Sequence, residues 1–213
     1  MSLPGITIAP LKQMTRDEEF NQVFFDNVRV KVSDRIGAEG DGWPIARASV
    51  NAERLSVGGV SRRPAMSPLP PLIELAHRPQ QDGTAPADDA SVRQDIARLH
   101  ARAHALKCLR LVLMTRQARN TMGPADASVA KVLSTDLRLE AFAFGASLFG
   151  SEGLYEDGVV TDRAGVHYWQ DNFLFSRALI IGGGTNEIQR NLIAERGLGL
   201  PRDNSAVPAG RST

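Results

Sequence analysis

The residues best suited to chemistry stand at two places far apart in the chain. Three consecutive glycines, Gly182-Gly183-Gly184, come directly before Thr185, a residue type that caps helices. Backbone N–H groups at a helix start attract anions, and glycines let a ligand come close to the backbone. The run matches neither the Walker phosphate loop nor G-x-G-x-x-G, so a ligand-holding loop and a plain helix–helix turn both fit it. The second place is Glu53-Arg54, which by residue type alone reads as two solvated neighbouring charges. His100 and His104 are one helical turn apart, a spacing that can hold a metal. No third ligand is near them in sequence, so they read as surface or half-buried histidines and no metal is expected. Trp43 and Trp169 read as core or interface anchors. No Ser/His/Asp or Cys/His grouping stands out.

The elements that must position these residues are mostly helices. Ile6, Ile8 and Pro10 alternate, and Phe20, Val23, Phe24, Phe25, Val28 and Val30 cluster around the turn-prone Asp26-Asn27. Two or three strands do not make a stable sheet alone, so residues 1–36 read as the remnant of a β domain. The glycine-rich loop at 37–44 leads into a helix from about Trp43 to Gly58, ended by Gly58-Gly59. Residues 62–90, rich in Pro, Asp and Ala, read as an irregular excursion with one helical turn at Leu72–His77. Ser91 and Gln94 have capping-box spacing. Val92, Ile96, Leu99, Ala103, Leu106, Leu109 and Leu113 then form one apolar stripe, running to about Met122 before Gly123-Pro124. Asp126 is the expected N-cap of the next helix, with a stripe of Val129, Val132, Leu133, Leu137, Ala141, Phe144 and Leu148. A loop at 151–165, a helix at His167–Ile181 and a last helix at Asn186–Arg196 follow, and 203–213 reads as a disordered polar tail. The reading is mainly α: a four-helix bundle over 37–202 preceded by a few strands.

Bulk properties narrow the function classes. A net charge of +1 over 213 residues gives no field that points to nucleic acid or acidic membranes. No stretch approaches a membrane span, and the first residues lack a signal-peptide layout. The single Cys108 cannot form an internal disulfide and excludes a cysteine-rich metal site. A reducing, cytoplasmic setting is the expectation.

Three blocks, in order, carry a resemblance that none of these features shows singly. IIGGGTNEIQRNLIAERGLGLPR (180–202), FNQVFFDNVRV with IGAEGDGWPIARASVNAER, and ASVAKVLSTDLRLEAFAFGASLFGSEG resemble the C-terminal half of acyl-CoA dehydrogenases. The resemblance implies the family's C-terminal four-helix bundle, preceded by the end of its middle β-barrel domain. It implies FAD, an acyl-CoA thioester, and a carboxylate that removes the α proton while the β hydrogen leaves as hydride to the flavin. It further implies a homo- or hetero-oligomer of dehydrogenase-like subunits, and an electron-transfer protein as acceptor. Many members carry the base just before the Gly-Thr of the last block, where this chain has Gly183. Others carry it on the first bundle helix before an Arg, which here is Glu53, followed by Arg54. Glu53 is therefore the expected base. Asn51, Arg54 and Gly184 match substrate positions, and Thr185, Asn186 and Glu187 match the turn that touches FAD.

The departures from the family pattern are specific. The Arg-x-x-Phe-Gly stretch expected after the first helix is replaced by the 62–90 excursion. Ser147 and Ser151 stand where Gln and Gly often meet the flavin. The chain resembles a bacterial subgroup with such replacements, some of whose members pair unlike subunits and act on bulky, steroid-type acyl-CoAs. The N-terminal helical domain and most of the barrel have no counterpart here, so the chain is expected to be inactive without those parts or a partner chain. A catalytically silent assembly subunit is the alternative reading.

Overall fold

The computed structural model describes residues 3–57, 67–80, 82–150 and 165–202. The expected stop at Gly58-Gly59, Ser151, the loop at 151–164 and the tail at 203–213 lie outside the described residues. Strands β1 (Ile6–Leu11) and β2 (Phe20–Phe25) pair antiparallel, with Ile6 opposite Phe25 and Leu11 opposite Phe20. Both strands are largely exposed, so this ribbon has no buried face of its own.

Among the described residues six α-helices follow: α1 (Gly42–Val57), α2 (Leu69–Ala76), α3 (Ala90–Ala118), α4 (Asp126–Ser147), α5 (Val166–Ile181) and α6 (Asn186–Leu192). A π-helical turn, Ile193–Gly197, continues α6, so the expected helix at Asn186–Arg196 changes its hydrogen bonding partway. The mainly helical fold read from the sequence is present, with a two-stranded sheet ahead of it.

Two expected caps are placed differently. Asp89, one residue before α3, accepts from Ser91 N–H and caps the helix, so Ser91 is its second residue and not the N-cap. Asp126 is the first residue of α4, not its cap. Its carboxylate accepts from Gly123 N–H at 2.8 Å and from Arg116 Nη1 at 2.9 and 3.0 Å. One acid thereby ties the end of α3 and the Gly123-Pro124 turn to the start of α4. The 62–90 region also holds more helix than one turn. Leu69, Leu72 and Leu75 of α2 are buried in the main core, because Pro at its first turn costs no hydrogen bond and the leucines recur at helical spacing.

The core forms around α4. Leu99 and Leu106 of α3, Leu137, Ala141 and Phe142 of α4 and Trp169 of α5 meet the α2 leucines. Each large apolar side chain so buried contributes about 1.5–3 kcal/mol. Phe142, Tyr168 and Trp169 stack edge-to-face or tilted, with ring centres 5.5–6.2 Å apart. Leu113 and Ala130 form a second, smaller cluster. The stripe expected on α3 is the buried one. The stripe on α4 is too narrow: Leu133 is exposed, while Ser128, Ala130, Lys131, Ser134 and Thr135 are buried. Helix α4 contacts α1, α2, α3, α5 and α6, so its small and polar residues face neighbours as well. Gly145 shows the same closeness, since a Cβ there would fall 2.1 Å from the Trp169 ring.

Candidate functional site

The two places singled out in the sequence meet in space. Helix α1 carries Arg54 in its last turn with Glu53 just before it, and the Arg54 Nε donates to Gly183 O at 2.9 Å. Gln189 of α6 donates through Nε2 to the same carbonyl at 3.0 Å and to Gly184 O at 3.3 Å. Gly183 and Gly184 have φ of +66° and +96°, backbone angles that glycine adopts without a Cβ clash. A Cβ on Gly183 would lie 3.7 Å from Glu53 Oε1 and 3.6 Å from Arg54 Cγ. A Cβ on Gly184 would fall 2.5 Å from Gln189 Nε2. The glycine turn is thus held by donors from two helices, with the Glu53 carboxylate beside it.

Glu53 is exposed and makes no ion pair among the described residues. Arg54 is half-buried, and burial lowers its pKa from the ordinary arginine value. The nearby Arg196 and Arg47 act in the same direction and Glu53 opposes them. The guanidinium remains a charged donor throughout any working pH. Asn51 lies on α1, and its side chain falls outside the described residues.

The start of α6 is bound inward. Thr185 caps the helix through Ile188 N–H at 3.3 Å, as its type predicts. Asn186 is buried and its amide is bonded at both its oxygen and its nitrogen. Its Oδ1 accepts from Lys131 Nζ at 2.6 Å and Thr135 Oγ1 at 3.1 Å, and its Nδ2 donates to Asp136 at 2.6 Å. The side chain is thus committed inward, away from any ligand-facing role. Glu187 is exposed, and its carboxyl is held below the ordinary glutamate value by its own backbone N–H and the Thr185 hydroxyl.

Lys131, Thr135, Asp136 and Gln189 escaped the sequence reading. They lie off the apolar stripe, and a polar residue on the far side of a helix reads as solvated unless that side is also covered. The run of small residues in α4 was the available signal that it is. Burial lowers the Lys131 ammonium pKa from the ordinary lysine value, while Asp136 and Glu187 act against that shift. His100 and His104 are exposed, and His104 Nε2 faces Cys108 Sγ at 3.6 Å. No group of three potential metal ligands exists among the described residues. No helix among them is long and apolar enough to cross a membrane.

With this geometry in place, comparison with known proteins is specific. Residues 40–198 match the family model described as acyl-CoA dehydrogenase, C-terminal domain. The chain is 37% identical over 202 residues to acyl-CoA dehydrogenase IpdE1 of Mycobacterium tuberculosis, covering 94% of this chain and 49% of that protein. It is similar to a chain in the crystal structure of the ChsE4-ChsE5 complex from Mycobacterium tuberculosis, with a TM-score of 0.72 and 28% identity. That match covers 94% of this chain and 51% of the other. The glutaryl-coenzyme A dehydrogenase glutaryl-CoA complex, at 22% identity and a TM-score of 0.72, shares the fold over 94% of this chain and 49% of its own. The chain spans about half the length of the curated relatives it matches.

Proposed function

This chain belongs to the acyl-CoA dehydrogenase family, through that family's C-terminal domain, and on that premise we propose that Glu53 is the base of an FAD-dependent α,β-dehydrogenation of an acyl-CoA thioester. The observation that carries this reading is the closeness of Glu53 to Gly183. Many members place their base at the position of Gly183 and others on the first bundle helix. Here a Cβ at Gly183 would lie 3.7 Å from Glu53 Oε1, so both placements would deliver a carboxylate to one spot. The absence of a side chain at Gly183 leaves that spot to Glu53.

The residues present fit a flavin and a thioester at the glycine turn. Thr185 and Glu187 lie at its edge, and Asn186 offers its backbone there. Bound FAD supplies the hydride acceptor. Glu53 takes the α proton of the acyl chain onto a carboxylate oxygen. Arg54 fixes Gly183 O and so the path of the turn, and Gly184 allows the thioester to approach the backbone. Asn51, on the same helix, is a further substrate-binding position in this reading. A homo- or hetero-oligomer with dehydrogenase-like subunits is part of this reading, and the similarity to a chain of the ChsE4-ChsE5 complex supports it. An electron-transfer protein is the proposed acceptor, in a cytoplasmic setting.

Glu53→Gln in the complete flavin-loaded assembly tests the base. Acyl-CoA binding should persist while turnover falls about a thousandfold. A second substitution, Gly183→Glu, in that background should recover part of the loss by supplying a carboxylate from the other side. Unchanged turnover in Glu53→Gln excludes it as the base. A wild-type assembly that binds no flavin would instead favour a silent assembly subunit.

A further inference from the structure

The glycine turn is short of intrinsic order, since glycine loses more backbone freedom on folding than any other residue. Arg54 and Gln189 hold its carbonyls. Neither sets the distance between the two helices that the turn joins. One side chain does touch both. Lys131 of α4 is fully buried, and its ammonium donates to Ile180 O, in the last turn of α5, at 3.0 Å. The same ammonium donates to Asn186 Oδ1, at the first residue of α6, at 2.6 Å.

Its surroundings reinforce the link. Thr135, one turn further along α4, donates to the same Asn186 oxygen. Asp136 accepts from Asn186 Nδ2 and from Arg190 Nη2 at 2.9 Å. A cation at a helix C-terminus is favourably placed against the macrodipole. Yet an ammonium taken from water loses much of that gain to desolvation, so an apolar side chain of like length would serve stability as well. What the apolar chain could not do is join two acceptors on either side of the turn.

We propose that Lys131 is a positioning residue, which sets the spacing across the Gly182–Gly184 turn by joining the end of α5 to Asn186 and so places that turn against Glu53. Its bearing on catalysis rests on the dehydrogenase reading above; its bearing on the turn does not.

Amide hydrogen exchange on the full chain tests it. Lys131→Met is expected to speed exchange over residues 180–189 about tenfold relative to α3 around Leu99–Leu106. Leu72→Ala, which opens the main core that it shares with Leu99 and Leu106 without touching the turn, should speed exchange in α3 and should not raise that ratio. An unchanged ratio in Lys131→Met, or an equal rise in Leu72→Ala, overturns the proposal. Should Lys131→Met not fold, the wild-type chain still decides. Its Lys131 ammonium should give a slowly exchanging ¹H–¹⁵N signal with cross-relaxation to the amides of α5's end and α6's start. A fast-exchanging ammonium without those contacts overturns the proposal. In the complete assembly, Lys131→Met should lower kcat about tenfold with a smaller change in KM. The exchange result together with a flavin-free wild-type assembly would keep the positioning role and remove the dehydrogenase reading.

Discussion

At the scale of single residues, the turn at 182–184 separates two glycines that look equivalent in sequence. At Gly183 a Cβ would meet only ordinary van der Waals contacts, so the cost of Gly183→Ala is that of a positive φ, about 1 kcal/mol. At Gly184 the φ is also positive, and the Cβ would drive Gln189 Nε2 away from the carbonyls it holds. Gly184→Ala should cost about 2–3 kcal/mol in denaturant unfolding, clearly more than Gly183→Ala. Equal losses would mean that Gln189 moves freely and does not hold the turn. Glu53 was legible as a candidate because its Arg neighbour fits a family pattern. Its closeness to Gly183, 130 residues further on, was not, because local spacing says nothing about contacts made by folding.

At the scale of elements, capping and close packing give two checks. Asp89 caps α3, and the Ser91 N–H and hydroxyl lower its carboxyl pKa from the ordinary 3.8. A carboxylate with a lowered folded-state pKa stabilises the fold above its unfolded value and loses that contribution as pH falls through the folded one. Asp89→Ala should therefore lower Tm at neutral pH, and the gap from wild type should close as pH falls from about 4 through the folded value. A gap that stays constant in acid would show that the charge of Asp89 is not what caps the helix. Between α4 and α5, Gly145 admits the Trp169 ring. Gly145→Ala should cost at least about 1–3 kcal/mol by overpacking, measured by thermal unfolding. The periodicity of α3 predicted its buried face well because that helix has one such face. The pattern on α4 underestimated its burial because a central helix is covered on several sides, and serine, threonine and glycine can meet a neighbouring helix closely without being apolar.

At the scale of the whole molecule, order is unevenly distributed. The ribbon of β1 and β2 exposes Phe20, Phe24 and Phe25, and Trp43 at the start of α1 is 73% exposed. A two-stranded ribbon without a packed face is marginal in water. Amides of residues 6–25 in the chain alone should exchange orders of magnitude faster than those around Leu99, Leu106 and Leu137. Comparable protection in the ribbon would mean that something covers it already. Protection that appears only on addition of further dehydrogenase-like polypeptide would identify the ribbon as a joining surface.

The sequence alone determined the helical class, the presence of the long helices (α3 ends at Ala118, short of the expected Met122), the glycine turn before a threonine cap and the family. Each is written in local spacing, turn chemistry or ordered motifs, which act between residues near one another in the chain. Only the tertiary structure decided that Glu53 sits beside Gly183, that Asn186 turns inward, and that a buried lysine joins the ends of α5 and α6. Those facts depend on which faces of α1, α4, α5 and α6 meet. That choice is made by packing small residues closely and pairing buried polar groups, so a polar residue's role becomes visible only once its neighbours are in place.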